Sequence, residues 1–89
     1  MIFVYVLGKV EAGTENEVLN SLKSINQVRK ASLTYGSYDL CIEALFKNLE
    51  ELDDFIFNVV RKIPGVKETV TLVTSRVISP QSGQAISFG

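Results

Sequence analysis

The chain has 89 residues, 46% of them hydrophobic and 21% charged, and a formal net charge of −1. That is enough for one folded domain and too little for two. Nine Lys and Arg against ten Asp and Glu leave no basic excess, which argues against direct nucleic-acid binding. The aliphatic content excludes disorder and exceeds what so small a body can hide, so a partner surface is expected.

The chain has no His, no Trp and a single Cys. One Cys makes no internal disulfide, which fits a reducing compartment. A structural zinc site and a His-based catalytic base have no ligands or base to use, so neither metal nor cofactor is expected. The apolar run Met1–Leu7 is too short to span a membrane and lacks the features of an export signal. The sequence reads as a soluble, cytoplasmic protein.

Ile2–Val10 is β-branched and aromatic and predicts a central strand. Ile2, Val4 and Val6 share one face, and Phe3, Tyr5 and Leu7 the other. Thr14-Glu15-Asn16-Glu17 has the spacing of a capping box, and Val18, Leu19, Leu22 and Ile25 give a short amphipathic helix ending near Asn26. Val28–Tyr35 alternates, with Ala31, Leu33 and Tyr35 opposite Lys30, Ser32 and Thr34. Gly36-Ser37 marks a turn, and Tyr38–Phe46 completes a hairpin. Asn48 caps a second helix with Leu49, Leu52, Ile56, Val59, Val60 and Ile63 as its stripe and Phe55 at the edge. Pro64-Gly65 ends it. Val66–Ile78 predicts a long last strand, and residues 80–89 a polar tail with one apolar patch, Ala85–Phe88.

The order strand, helix, strand, strand, helix, strand predicts an α+β, ferredoxin-like βαββαβ fold: a four-stranded antiparallel sheet with both helices on one face. The bare face needs a cover. A second copy packed sheet to sheet supplies it, in a dimeric α/β-barrel-like assembly. Parity alone does not say which face is which.

Few residues carry chemistry. Cys41, between Leu40 and Ile42, reads as a buried structural thiol, with no His to activate it. Asp53 and Asp54 diverge by about 100° on a helix and read as a solvated face. Glu43 reads as a partner for a cation across the sheet or at a dimer surface. Tyr35-Gly36-Ser37-Tyr38-Asp39 is the densest polar and aromatic cluster. Its plain reading is turn geometry, with Asp39 accepting turn amides. The sharper reading is a grip on a small zwitterion: amides for a carboxylate, Asp39 for an ammonium, rings for an apolar side chain. Thr69 and Thr71 on the last strand are either ordinary strand residues or further contacts.

Gly36-Ser37-Tyr38-Asp39-Leu40, the capped helix from Asn48, Ile63-Pro64-Gly65-Val66 and the Thr-containing strand Val66–Val73 together resemble the effector-binding domain of the Lrp/AsnC regulators. That domain is called RAM, and the resemblance covers residues 1–79. It implies amino-acid binding near the Gly-x-Tyr-Asp turn, with Tyr35, Gly36, Tyr38, Asp39 and Thr71 as ligand contacts. It also implies homodimers that join into rings of eight or ten subunits. The chain starts directly at the first strand, so it resembles a stand-alone domain without the DNA-binding helix-turn-helix. Such a domain is expected to act as a non-enzymatic module in transcription regulation, working on full-length Lrp-type regulators, with no direct nucleic acid and no membrane. The alternatives are a small dimeric α+β-barrel enzyme, monooxygenase- or isomerase-like, a purely structural adaptor forming mixed oligomers, and an amino-acid-binding ACT domain, which shares the element order.

Overall fold

β-Branched and aromatic residues crowd the first ten positions, and in the computed structural model, which describes residues 1–78, they form strand β1, Ile2–Val10. Helix α1 (Glu15–Leu22), strands β2 (Val28–Leu33) and β3 (Leu40–Phe46), helix α2 (Leu49–Asp54) and strand β4 (Val66–Val73) follow. The sheet order is β2-β3-β1-β4, antiparallel throughout. This is the expected ferredoxin-like βαββαβ arrangement, with β1 and β3 central and β2 and β4 at the edges.

Register settles the question of faces. Val4 lies opposite Ala44 and Val6 opposite Ile42, and all four are fully buried beneath the helices. Val18 and Leu22 of α1, Leu52 of α2, and Phe55, Ile56 and Val60 just beyond it complete that core with Leu40 and Phe46. The other face carries Phe3, Tyr5 and Leu7 of β1, paired with Leu45, Glu43 and Cys41 of β3 and flanked by Val70 and Leu72 of β4. Nothing among the described residues covers it, and Leu72 there is 49% exposed. The face has a charged end: Lys9 meets Glu68 at 3.6 Å, and Lys30 lies opposite Glu43.

Several local expectations are corrected. Thr14 makes no cap: its hydroxyl donates to the Glu11 carbonyl at 2.6 Å, and the Glu15 carboxylate takes the Gly13 amide instead. The loop geometry thus draws Thr14 away from the first-turn amides of α1, which ends at Leu22 rather than near Asn26. Asn48 does cap α2, accepting the Glu51 amide at 2.9 Å. Beyond Asp54 the helix widens into a π-helical turn, Phe55–Val59, and tightens into a 3₁₀ turn, Val60–Lys62. Phe55 and Ile56, at the start of the π-helical turn, are both buried in the core. Phe55, expected at the stripe's edge, is 2% exposed, and Leu49, expected in the stripe, is 60% exposed. Pro64-Gly65 ends the segment, with Gly65 at φ +100°. The hairpin strands stop short of the turn, and β4 ends at Val73, where the Thr74 hydroxyl and amide both donate to the Phe3 carbonyl. The expected tail, 80–89, lies outside the described residues.

Candidate functional site

The β2–β3 turn is fixed by its own backbone. The Thr34 amide donates to the Asp39 carbonyl at 2.8 Å, and the Thr34 hydroxyl donates to the Tyr38 carbonyl at 2.6 Å. Gly36 sits at the tip with φ +110°, a left-handed conformation that side chains resist. A Cβ there would meet nothing within 4 Å, so the constraint is backbone conformation rather than space.

Asp39 joins this turn to the centre of the sheet. Its amide donates to the Gly8 carbonyl at 2.9 Å, and its carboxylate accepts the Val10 amide at 3.1 Å. β3 pairs with β1 only as far as Gly8–Leu40, and the β1–β4 register shifts between Lys9 and Val10. The Asp39 side chain therefore stands in where strand backbone runs out. Its acceptor reaches across to β1 rather than into its own turn.

Around that carboxylate lies a cleft of about 560 Å³, lined by Val10, Ala12, Glu15, Asn16, Leu33, Thr34, Tyr35 and Asp39. That volume is within the range of small-molecule sites. Its chemistry is mixed: two carboxylates, polar Asn16 and Thr34, and the apolar Leu33 and Tyr35. The first turn of α1 starts at its edge with no side-chain cap. Tyr35 is fully exposed and Leu33 is 42% exposed, so the cleft is open on the hairpin side.

The five expected ligand residues separate. Tyr35 and Asp39 line the cleft, and Gly36 shapes the turn beside it. Tyr38 lies on the other side of the turn, its ring centroid 5.7 Å from the Lys9 ammonium. Thr71 sits on the far edge strand, opposite Val6 and on the helix side of the sheet, and does not reach the cleft within one chain. Sequence reasoning missed Glu15 and Asn16. Both sit in the first turn of α1, where acids also serve the helix dipole, so their types carried no separate signal.

Cys41 is half-buried on the open sheet face. Burial raises its pKa above the ordinary 9.0, the Glu43 carboxylate raises it further, and the Lys30 ammonium pulls it down by less. The thiol is held protonated, the opposite of an activated nucleophile. Among the described residues no group of three or more His, Cys, Asp or Glu is placed to hold a metal ion. No helix among them is long and apolar enough to cross a membrane.

The sequence model of the Lrp/AsnC ligand binding domain matches residues 3–83. The chain belongs to this family. It is 35% identical over 72 residues to the HTH-type transcriptional regulator FL11 of Pyrococcus abyssi, covering 81% of this chain and 47% of the regulator. The chain thus spans about half the length of the curated relatives it matches. The crystal structure of FFRP-DM1 superposes with a TM-score of 0.80 at 34% identity, covering 83% of this chain and 99% of that one. The L-Met complex of the transcriptional regulator NMB0573 from Neisseria meningitidis superposes with a TM-score of 0.83, covering 89% of this chain and 53% of that one. At 12% identity that likeness is one of fold alone. The chain is therefore a RAM domain with homologues among transcriptional regulators, and the fold read from its element order is the family's.

Proposed function

We propose that this RAM domain is a non-enzymatic sensor that binds an amino-acid-like zwitterion in the Asp39 cleft and reports occupancy through subunit assembly. The observation that carries this reading is the cleft itself. Asp39 and Glu15 supply negative charge for an ammonium. The exposed turn around Gly36 and the uncapped first turn of α1 offer amides for a carboxylate. Leu33 and Tyr35 offer apolar surface for a side chain. The five residues Tyr35, Gly36, Tyr38, Asp39 and Thr71 remain the proposed ligand contacts, with Tyr38 and Thr71 reaching ligand only across an interface between copies.

The assembly follows from the uncovered sheet face. Phe3, Tyr5, Leu7, Val70 and Leu72 form an apolar surface that a second copy buries in a two-fold, sheet-to-sheet dimer. Dimers join further into rings of eight or ten subunits, closing the cleft mouths at the exposed Tyr35. An enzymatic role finds no support in the thiol, which is held protonated, in a chain that has no His. The module serves transcription regulation in the cytoplasm, by mixed assembly with full-length regulators of its family, and does not itself bind DNA. Native mass spectrometry of gently desalted protein tests this reading. It should report an even number of subunits with added mass in steps of one amino acid. Bare single chains that take up no added amino acid would overturn it.

A further inference from the structure

One wall of the Asp39 cleft is the loop that joins β1 to α1, which contributes Ala12 and runs straight into Glu15 and Asn16. Ala12, Gly13 and Asn16 are exposed, so little packing of their own holds them. Hydrogen bonds close the loop on itself. The Thr14 amide and hydroxyl both donate to the Glu11 carbonyl, at 3.1 and 2.6 Å, and the Glu15 carboxylate accepts the Gly13 amide at 2.9 Å. Gly65, just ahead of β4, supports the same loop in two ways. The Glu11 amide donates to the Gly65 carbonyl at 2.7 Å, one step beyond the Val10–Val66 pair. The Thr14 side chain also packs directly on the Gly65 backbone. A Cβ on Gly65 would stand 2.8 Å from Thr14 Cβ, 3.3 Å from Thr14 Cγ2 and closer still to the hydroxyl oxygen. The Pro64-Gly65 element thus does more than stop a helix: besides its φ of +100°, Thr14 makes a separate demand for glycine.

Neither Gly65 nor Thr14 lines the cleft. We propose that the two are positioning residues for the ligand, their contact fixing where Glu15 and Asn16 stand relative to Asp39; this rests on the ligand reading of the Asp39 cleft. Side chains that hold a small ligand work only when a supporting shell keeps them within about 0.5 Å of their place. Asp39 has its own support, from the Gly8 carbonyl and the Val10 amide, and that support does not pass through Gly65. Glu15 and Asn16 follow Thr14 directly in the chain. A methyl group added at Gly65 must push Thr14 aside, and it moves this wall while Asp39 stays in place. The residue that disturbs binding is then 49 positions or more from the wall residues it disturbs.

Calorimetric titration of the twenty amino acids into wild type, Gly65→Ala, Thr14→Gly and the double variant tests the contact, with thermal unfolding confirming that each is folded at the titration temperature. For the amino acid that wild type binds most tightly, Gly65→Ala should raise Kd about tenfold or more, within the range of couplings between touching residues. In the Thr14→Gly background the same substitution should change Kd by less than about threefold, because the methyl group enters the space that the Thr14 side chain vacates. The backbone amide NMR signals of Glu15 and Asn16 should move in Gly65→Ala and return in the double variant. A role in stability alone would lower the midpoint and leave both Kd and these signals in place. Equal losses of affinity in both backgrounds overturn the proposal, since backbone strain at Gly65 would then account for them. If Gly65→Ala does not fold, the double variant against Thr14→Gly still decides, and a loss of about tenfold there overturns the proposal. Wild-type affinity in Gly65→Ala overturns this proposal alone, whereas a wild type that binds none of the twenty overturns the ligand reading and this proposal with it.

Discussion

Asp39 has two separable tasks in this account, and two substitutions divide them. Its carboxylate accepts the amide of Val10, which is 7% exposed and lies beyond the last β1–β3 pair. Asp39→Ala removes the acceptor and leaves a buried donor unpaired, which costs about 1–3 kcal/mol of stability. For a domain of this size that lowers the unfolding midpoint by about 4–24 °C. Asp39→Asn keeps a side-chain carbonyl able to accept the same bond, so the midpoint should stay close to wild type. Ligand binding should behave differently, because the ammonium needs the charge. Removing one partner of a desolvated ion pair costs about 2–5 kcal/mol, at least about thirtyfold in Kd. Calorimetric titration with the best-binding amino acid, beside thermal unfolding of all three proteins, reads both effects. Asparagine and alanine should both lose binding, and only alanine should lose stability. Wild-type affinity in Asp39→Asn would refute the anchor role, and an unchanged midpoint in Asp39→Ala would refute the structural one.

Leu72→Asp places a charge on a half-exposed position of the open sheet face, so it should leave the fold intact while light scattering shows the assembly falling to single chains; wild type that is already monomeric would remove the basis of the sheet-face dimer. The 89-residue chain, with its net charge of −1, should show no salt-sensitive shift of duplex DNA at sub-micromolar protein and near-physiological salt. Cys41 should react with iodoacetamide at pH 8 several-fold more slowly in the native protein than in urea, since burial and Glu43 raise its pKa. The same shift sets a pH dependence: a thiol that keeps its proton longer when folded contributes stability below its ordinary value of 9.0 and loses it as pH rises past that value, so Cys41→Ala should flatten the decline seen in alkaline denaturation.

Element order was legible because each strand and helix carries its own period. Ile2–Val10, the stripe from Leu52 to Ile63 and the Asn48 cap each identified their segments, and the order of segments leaves few topologies. What local pattern does not encode was missed. Leu49 is the first residue of α2 and stays exposed, while Phe55 opens the π-helical turn and is buried. The capping-box spacing at Thr14 was present, but the Glu11 carbonyl competes for the hydroxyl. At the site, the turn residues were visible as a dense cluster. Glu15 and Asn16 reach the same cleft only because α1 packs against β2 and its start faces the β2–β3 hairpin, a proximity between segments that no single window contains. The partner of the Asp39 carboxylate, 29 residues back in the chain, was hidden for the same reason.

If the Asp39 cleft binds an amino acid, thermal unfolding with each of the twenty amino acids at about 10 mM will show it. A ligand present at a hundred times its Kd adds about 2.7 kcal/mol to stability. In a domain of this size that raises the midpoint by about 10 °C or more. At least one amino acid should raise the wild-type midpoint by that order, and the rise should be absent in Asp39→Asn. Twenty unchanged wild-type midpoints, or a rise of equal size in Asp39→Asn, would contradict the account.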